Sequence, residues 1–455
     1  MKKYLNPKNN KCLWIIYICF FWTGSSYLSW LYHLADFISG IRVDLATEVV
    51  GYLFQALGIF LYSMAVRKGI KLRWGNIQIF AVVTDMLLTL PATLSKSFIT
   101  VMISGYCMNI LHGIIAGIYL FRLAAEVKVG NRAFVFGIGY GAASASSFLL
   151  SLTVKGNFLK SPVVLIVYTV LAALAVFILK DGEEDEKGRF IEEKAGTDKE
   201  NVTIKLIILT GITIFILSFV KNMGFSFPYE EIKGGISLEM TRLFYALGLV
   251  IAGYICDMDR KYAAVLCVAS LCLPFLMIIL SSEIGTSIVI WMLNYFLFAF
   301  FTVFRVILFS DISSENIKDL WISGYGLLFG RIGDAIGTMI CILIDSDAVL
   351  IITSSVLFVA SVLSFFTLYH KLYAVTETVE LNEKRRFEGF IDKYSFSERE
   401  KEVMVCLIEG RSNTEIASLL YISESTVKFH VHNLLKKTEC ENRRELLTLY
   451  RQAAG

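Results

Sequence analysis

The sequence predicts an all-α chain in two segments: a polytopic bundle of twelve membrane helices built as six plus six, followed by a small domain of four short helices. Three observations predict it. Hydrophobic residues fill 56% of the 455 positions and charged ones only 18%, where a soluble domain carries roughly 25% charged residues. The apolar residues gather into runs close to the ~20 residues that cross a bilayer. Near residue 372 those runs stop, and a stretch of helix caps and short amphipathic segments takes over. One soluble core seldom grows beyond ~250–300 residues, so a chain of this length is expected to hold several units. The net charge of +3 says little about partners. The nine cysteines have no metal-ligand spacing and mostly sit in apolar runs (Cys19, Cys107, Cys267, Cys272, Cys341), which reads as small, reduced, buried thiols.

The spans fall near 13–32, 45–65, 77–95, 98–121, 133–153, 161–179, 204–222, 237–256, 262–280, 286–309, 320–344 and 348–372. Lys2, Lys3, Lys8 and Lys11 precede the first, which is too long for the apolar core of a cleavable signal and lacks a small-residue cleavage site after it. Lys and Arg in the short loops set orientation. One side collects the N-terminal lysines, Arg67, Lys68, Lys71, Arg73, Lys128, Arg132, Arg260, Lys261, Lys318 and Lys371. The other has scattered charge: Arg42, Lys96, Lys155, Lys160, Lys221 and Lys233, with Asp345 and Asp347. Both termini are expected on the first, cytoplasmic side.

The halves repeat. Leu53-Phe54-Gln55-Ala56-Leu57-Gly58-Ile59 in the second span matches Leu243-Phe244-Tyr245-Ala246-Leu247-Gly248-Leu249 in the eighth. Phe121-Arg122 matches Phe304-Arg305, and Gly139-Tyr140-Gly141 matches Gly324-Tyr325-Gly326. Each match joins a span to the one six further on, and the hydrophilic stretch 181–203 separates the halves 10–180 and 204–373. This organisation resembles the major facilitator superfamily, whose parallel repeats face each other across a central cavity. The family's loop motif, Gly-x-x-x-Asp-Arg-x-Gly-Arg-Arg, is partly kept after the eighth span as Gly253, Asp257, Asp259, Arg260 and Lys261, with Met258 in place of the Arg. After the second span the Asp is missing. By that resemblance the motif locks the cytoplasmic gate, and its erosion argues against active transport while leaving ligand-dependent rocking open.

Charges inside the spans are expensive, about 2.5–3.5 kcal/mol at mid-bilayer on insertion scales, and so should face the bundle interior in pairs. Glu48, Asp85, Arg331 and Asp334 are the ligand-sensing candidates, with Arg331 and Asp334 spaced to pair on one helix face. A purely structural pair is the simpler reading. Arg122 and Arg305 read as structural gate residues near span ends, and Arg242 as a further charge in an apolar run. Some of the 34 Phe and 21 Tyr could line an apolar cavity, though most suit the lipid face and its interfaces.

The tail is richer in signal. Ser397-x-x-Glu400 and Ser412-x-x-Glu415 are capping boxes, each opening a short helix. Gly410 suits a helix C-terminus, and Ser423 caps a third helix after a turn at Tyr421-Ile422. The expected core is Val403, Leu407 and Ile408 with Ile416, Leu419 and Leu420 and with Val427, Val431 and Leu434. The far face of the third helix carries Lys428, Phe429, His432 and Lys436, with no acid between Glu424 and Glu439. Residues 396–455 hold nine Lys or Arg and nine Asp or Glu, so only this local basic stripe stands out.

Ser397-Glu398-Arg399-Glu400, Gly410, Ser412-Asn413, Glu415-Ile416-Ala417, Ile422-Ser423, Thr426-Val427-Lys428, His430 and Leu435-Lys436-Lys437 closely resemble the LuxR/NarL-type helix-turn-helix. Departures are Phe396, Ser397 where that family has Pro, and Thr438-Glu439-Cys440. The resemblance implies a bacterial DNA-binding domain over 396–455 that binds double-stranded DNA. Its third helix enters the major groove, where Lys428, Phe429 and His432 read bases. Asn413, Thr414, Ser425, Thr426 and Lys436 hold phosphates or set register. It also implies a homodimer on inverted half-sites, formed through a final helix presenting Leu446, Leu449 and Tyr450. The connector 374–395 is too short and charged to be a sensor, and is expected either to extend the last span as a stiff helix or to tether loosely. A membrane domain over residues 1–373 joined to such a tail implies a one-component regulator in the bacterial cytoplasmic membrane, taking a small-molecule input through the bundle. A transporter with an autoregulatory tail is the second reading. An enzyme is not expected: five His, two of them in the DNA helix, form no metal-spaced cluster, and there is no nucleophile elbow, phosphate loop or cofactor motif.

Overall fold

A computed structural model describes residues 7–69, 74–153, 204–226, 238–273, 288–374 and 387–452, save 315, 345 and 409, with single positions between 164 and 174. Contacts divide the chain into two units, Met1–Leu368 and Tyr369–Gly455. The described residues are helical, with no strand among them.

The first unit contains α1 (Pro7–Leu34), α2 (Ile41–Arg67), α3 (Trp74–Leu94), α4 (Phe98–Glu126), α5 (Val129–Thr153), α6 (Ile204–Ser226), α7 (Leu238–Met258), α8 (Arg260–Ser270), α9 (Ile288–Ser313), α10 (Tyr325–Leu343) and α11 (Asp347–Tyr369). Eight stretches among them are long and apolar enough to cross a membrane, and Ile79–Leu94 and Leu243–Met258 are shorter apolar helices. Eleven of the twelve expected spans coincide with these helices, wholly or over their opening turns. The sixth, 161–179, falls outside the described residues apart from isolated positions, as does the later stretch of the ninth.

The repeat read in the sequence is a packing repeat. In the first half α2 lies against α4, and in the second α7 lies against α9. The paired glycines sit at these crossings: a Cβ on Gly58 would come within 1.9 Å of the Ile110 carbonyl oxygen, and one on Gly248 within 2.4 Å of that of Phe296. Only glycine permits such an approach, and small residues at the contact are what bring helices together where lipid is as apolar as the side chains. The halves then join crosswise, α5 against α7 and α10 against α2.

One end of this joint carries a polar lock built from the surviving loop motif. The Asp257 carboxylate accepts the backbone N–H groups of Ala133 (3.1 Å) and Phe134 (2.9 Å), in the first turns of α5, where the helix dipole favours negative charge. Arg260 reaches both Asp257 (2.9 Å) and Asp311 (2.7 Å), and Asp311 accepts in turn from Arg132 (3.0 Å). Arg132 also donates to Ser314 (2.7 Å) and to the carbonyls of Ala124 (2.6 Å) and Val127 (2.8 Å). The motif that is eroded in sequence after α2 is complete as a charge network after α7.

The second unit holds a helix over 387–393 (α12), then α13 (Glu398–Ile408), α14 (Asn413–Leu420), α15 (Glu424–Thr438) and α16 (Arg443–Gln452). Both capping boxes form: Ser397 N–H donates to Glu400 (2.8 Å) and Ser412 N–H to Glu415 (2.7 Å). Gly410 takes φ +81° just past α13, and Arg411 N–H returns to the Cys406 carbonyl (3.1 Å), closing that end as a glycine cap should. The core is Val403, Leu407, Ile416, Val427 and Leu434, with Leu420 and Val431 partly buried, as the spacing predicts. Ile408 and Leu419, expected inside, are exposed, and Met404, Cys406, Phe396, Leu446 and Tyr450 take their place. Phe390 and Ile391 of α12 are buried in the same core, so a portion of the expected linker is packed domain structure. All nine cysteines are free thiols.

Candidate functional site

The turn between α14 and α15 sets the direction of α15, the helix expected from sequence to read DNA. Tyr421 adopts a left-handed conformation (φ +55°), and Ile422 N–H returns to the Ala417 carbonyl (3.0 Å). Ser423 then caps α15 by accepting the Thr426 N–H (3.1 Å). Burial of Val427 and Leu434 and partial burial of Val431 fix one face of the helix inward. The opposite face places Lys428, Phe429, His432 and Lys436 in solvent, and Phe429 is 60% exposed. An aromatic ring held that far out of a small domain has no packing role there. Thr414 and Ser425 are exposed and Asn413 and Thr426 half-buried along the same edge. Of the eight residues singled out from sequence, six are exposed and two half-buried.

One residue beside these escaped the sequence reading. Glu424, at the start of α15, lies 3.1 Å from Lys428 Nζ and accepts from the Thr414 hydroxyl (3.4 Å). Behind the helix, Lys437 donates to Glu400 (2.7 Å) and to the Ser395 carbonyl (2.7 Å). Burial would push the Glu400 carboxyl up, but the Lys437 ammonium and the Ser397 N–H outweigh it and hold it below the usual carboxylate range. The last helix differs from expectation in one respect. Leu446 and Tyr450, expected at a dimer face, are buried in their own domain, Tyr450 against Phe390 (ring centroids 5.2 Å apart), which leaves Leu449 half-buried beside exposed Arg444 and Thr448.

Inside the bundle the structure gathers three of the four intramembrane candidates. Asp334, in the middle of α10, has Lys221 Nζ at 2.8 Å, Arg305 Nη1 at 3.2 Å and Arg331 Nη1 at 3.9 Å. The Thr338 hydroxyl donates to Glu48 (3.0 Å), and Asn222 donates to the Asp334 carbonyl (2.8 Å), so Glu48 joins the cluster. Glu48 lies in a π-helical turn, Leu45–Gly51, that interrupts α2; such turns recur at functional sites. Asp85 stands apart, accepting from the Trp22 indole (2.6 Å) with His112 Nε2 at 3.4 Å.

Three expectations change here. Arg331 is the most distant of Asp334's three partners rather than its main one. Lys221 is no loop charge: α6 continues to Ser226 and buries it. The polar pair Lys221-Asn222 at the end of an apolar run was the available signal, and placing the span edge there hid it. Arg305 likewise belongs to this interior cluster, while Arg122 pairs locally with Glu126 (3.6 Å) as a structural residue would. Among the described residues no group of His, Cys, Asp and Glu is placed to hold a metal.

Residues 394–450 match the GerE family, described as bacterial regulatory proteins of the luxR family. The chain is similar to the uncharacterized transcriptional regulatory protein YhcZ of Bacillus subtilis, 52% identical over 50 residues, 11% of this chain and 23% of that protein. It is similar to the nitrate/nitrite response regulator protein NarP of Escherichia coli, 38% identical over 86 residues, 19% of this chain and 40% of that one. The regulatory protein SdiA of Escherichia coli is 43% identical over 61 residues, 13% and 25% of the two chains. The chain thus spans well under half the length of these relatives. The bundle superposes on the human organic anion transporter MFSD10 with a TM-score of 0.57 at 13% identity, covering 80% of this chain and 100% of that one. The fold of the membrane domain is therefore major-facilitator-like, and residues 394–450 form a LuxR-family DNA-binding domain.

Proposed function

We propose that this protein is a one-component transcription regulator of the bacterial cytoplasmic membrane, in which the twelve-span domain over residues 1–373 senses a small molecule and the C-terminal domain binds promoter DNA. The observation that carries the reading is the join itself: a solvent-facing Lys428, Phe429, His432 and Lys436 stripe on α15 follows, in one chain, a helical bundle with a buried charge cluster. Lys428, Phe429 and His432 read base edges; Asn413, Thr414, Ser425, Thr426 and Lys436 hold the backbone. Glu48, Arg331 and Asp334 are the sensing residues, with Asp85 in a second polar cluster. Both termini are cytoplasmic, because the tail must meet DNA there. The protein acts as a homodimer on inverted half-sites, using the outer face of α16. No cofactor and no catalytic step enters this reading.

The test is chromatin capture of the full chain in its own cell. Discrete promoter sites, lost in Lys428→Ala at unchanged membrane level, are expected; recovery of the same sites by that variant would break the reading. Reporter fusions at 199 and 345 check orientation, with cytoplasmic and exterior signals expected in that order, although both positions lie outside the described residues.

A second reading, transport with an autoregulatory tail, is favoured by the intact Asp257–Arg260–Asp311–Arg132 lock. Proton-linked uptake by residues 1–373 alone would support it.

A further inference from the structure

The buried cluster is unbalanced in charge and incomplete in hydrogen bonding. Lys221, Arg305 and Arg331 converge from α6, α9 and α10 on the single carboxylate of Asp334. Glu48 enters only through Thr338, and Asp44 stands one turn before it at the start of α2. At Asp334 itself three cations therefore face one carboxylate, with Glu48 and Asp44 further out. The Nε–H of Arg305 and that of Arg331 are both buried with no hydrogen-bond partner beside them among the described residues. An orphaned buried guanidinium donor is costly, and a molecule carrying an acceptor and a negative charge relieves it. Arg331 is the accessible member: its side chain keeps 23% of its exposure, while those of Arg305, Lys221 and Asp334 keep 6% or less.

Aromatic rings extend from these cations into both halves. Arg331 lies over Tyr52 (4.3 Å), and Tyr52 over Tyr27 (6.1 Å). Lys221 lies over Phe298 (4.5 Å), which stacks on Tyr245 (5.4 Å), which meets Tyr140 (5.6 Å), which stacks on Phe20 (3.7 Å). Phe20, Gly24 and Tyr27 share one stripe of α1, and a Cβ on Gly24 would meet no atom within 4 Å. The open space beside Gly24 thus lies on the stripe that carries the first and last rings. A wall of ring faces ending in a guanidinium suits a flat apolar body with an anionic group, since Arg pairs with a planar carboxylate through two parallel N–H donors.

We propose that the bundle interior between α1, α2, α9 and α10 binds a small aromatic organic anion, its carboxylate engaged by Arg331 in competition with Asp334. This rests on the sensing reading above and names the chemistry of what is sensed. Asp334 is then an internal counter-ion. An entering carboxylate draws Arg331 toward itself, and the α2–α10 contact carried by Glu48 and Thr338 is the first to feel the change.

The test uses the purified full chain in lipid nanodiscs and three probes of one shape: naphthoate, naphthylmethylammonium and naphthylmethanol. Thermal unfolding and tryptophan fluorescence report binding. Naphthoate is expected to bind at least tenfold more tightly than the alcohol, and the ammonium not at all. Arg331→Gln should lose that preference at an unchanged unliganded melting temperature, and Arg331→Lys should keep some of it. Asp334→Asn should bind naphthoate severalfold more tightly, and Glu48→Gln provides the same sign of change should Asp334→Asn not fold. Equal or better binding of the ammonium, no naphthoate binding, or undiminished binding by Arg331→Gln would each overturn the proposal. Naphthoate binding with an unchanged promoter reporter supports the anion site while removing the sensing reading, so the two fail separately.

Discussion

Lys437 shows how one side chain can serve stability from the back of the helix proposed to read DNA. It lies behind the far face of α15, bonded to Glu400 and to the Ser395 carbonyl, and so ties α15 to the start of α13. Glu400 is held below the usual carboxylate range: burial raises it, and Lys437 and Ser397 more than offset that. A depressed carboxylate contributes stability that is present above its unfolded value, about 4.3, and is lost as pH falls through the lower folded one. Acid unfolding of residues 380–455 should therefore steepen below that value. Lys437→Met should flatten the dependence and cost about 1–3 kcal/mol at neutral pH, because it leaves a buried acceptor without its charged partner. Denaturant titration across pH checks both; a parallel shift of the whole curve would show that Lys437 acts independently of Glu400 ionisation, and an unchanged curve that the pair is of no consequence. On the other face, Lys428→Ala should cost about 1–3 kcal/mol of binding and relax preference at one base pair per half-site, whereas Lys436→Ala should weaken all sequences alike and lower the salt slope by about one. Ser423→Ala, which removes the α15 cap, should cost about 1 kcal/mol of stability without changing sequence preference.

At the scale of elements, α12 changes where the DNA-binding domain begins. Phe390 and Ile391 are buried against Phe396 and Tyr450, so a fragment starting at 396 lacks a portion of its own core. Phe390→Ala should destabilise a 380–455 fragment by about 3–5 kcal/mol, and a 396–455 fragment should unfold at lower denaturant than one that includes α12. Equal midpoints would show α12 to be a passive tether. The caps, the glycine terminator and the inward face of α15 were legible because each depends on chemistry within one turn of helix. Ile408 and Leu419 were misplaced because their helices are short: over two or three turns the 3.6-residue period cannot separate a core position from its flank. The burial of Tyr450 was hidden for a different reason, since Phe387 and Phe390 of α12, some sixty residues earlier in the chain, pack against it. The same limit applied in the bundle. The i,i+3 pairing of Arg331 with Asp334 could be read locally, but Lys221 and Arg305 arrive from other helices and only the fold brings them in.

At the scale of the molecule, the repeat was readable because it is written in glycines whose spacing the packing requires, while the gate lock was readable only in its motif residues Asp257 and Arg260, not in their partners Asp311 and Arg132. Erosion of the motif after α2 argued against active transport while leaving rocking open, and Asp257, Arg260, Asp311 and Arg132 close a continuous network across α5, α7, α8 and α9. Such a network matters to a sensor, since a ligand shifts a conformational equilibrium only by its difference in affinity for two states, and one of those states must be held by contacts the other lacks. On the proposed reading the lock supplies those contacts at one end of the bundle, and the ligand acts on the balance at the Asp334 cluster. Asp257→Asn removes the charge that Arg260 and the start of α5 share while keeping the side chain's shape. If rocking of the halves feeds transcription, this variant should insert at normal level and leave the target promoter fixed near one extreme of its range, with the inducer dose curve flattened. Arg260→Gln should do the same, because it breaks the network from the other side. Reporter output and membrane abundance measured together decide the matter: variants that insert normally and keep the wild-type dose curve would show that the halves do not rock to signal, and the route from bundle to DNA would then have to be sought in the charge cluster alone.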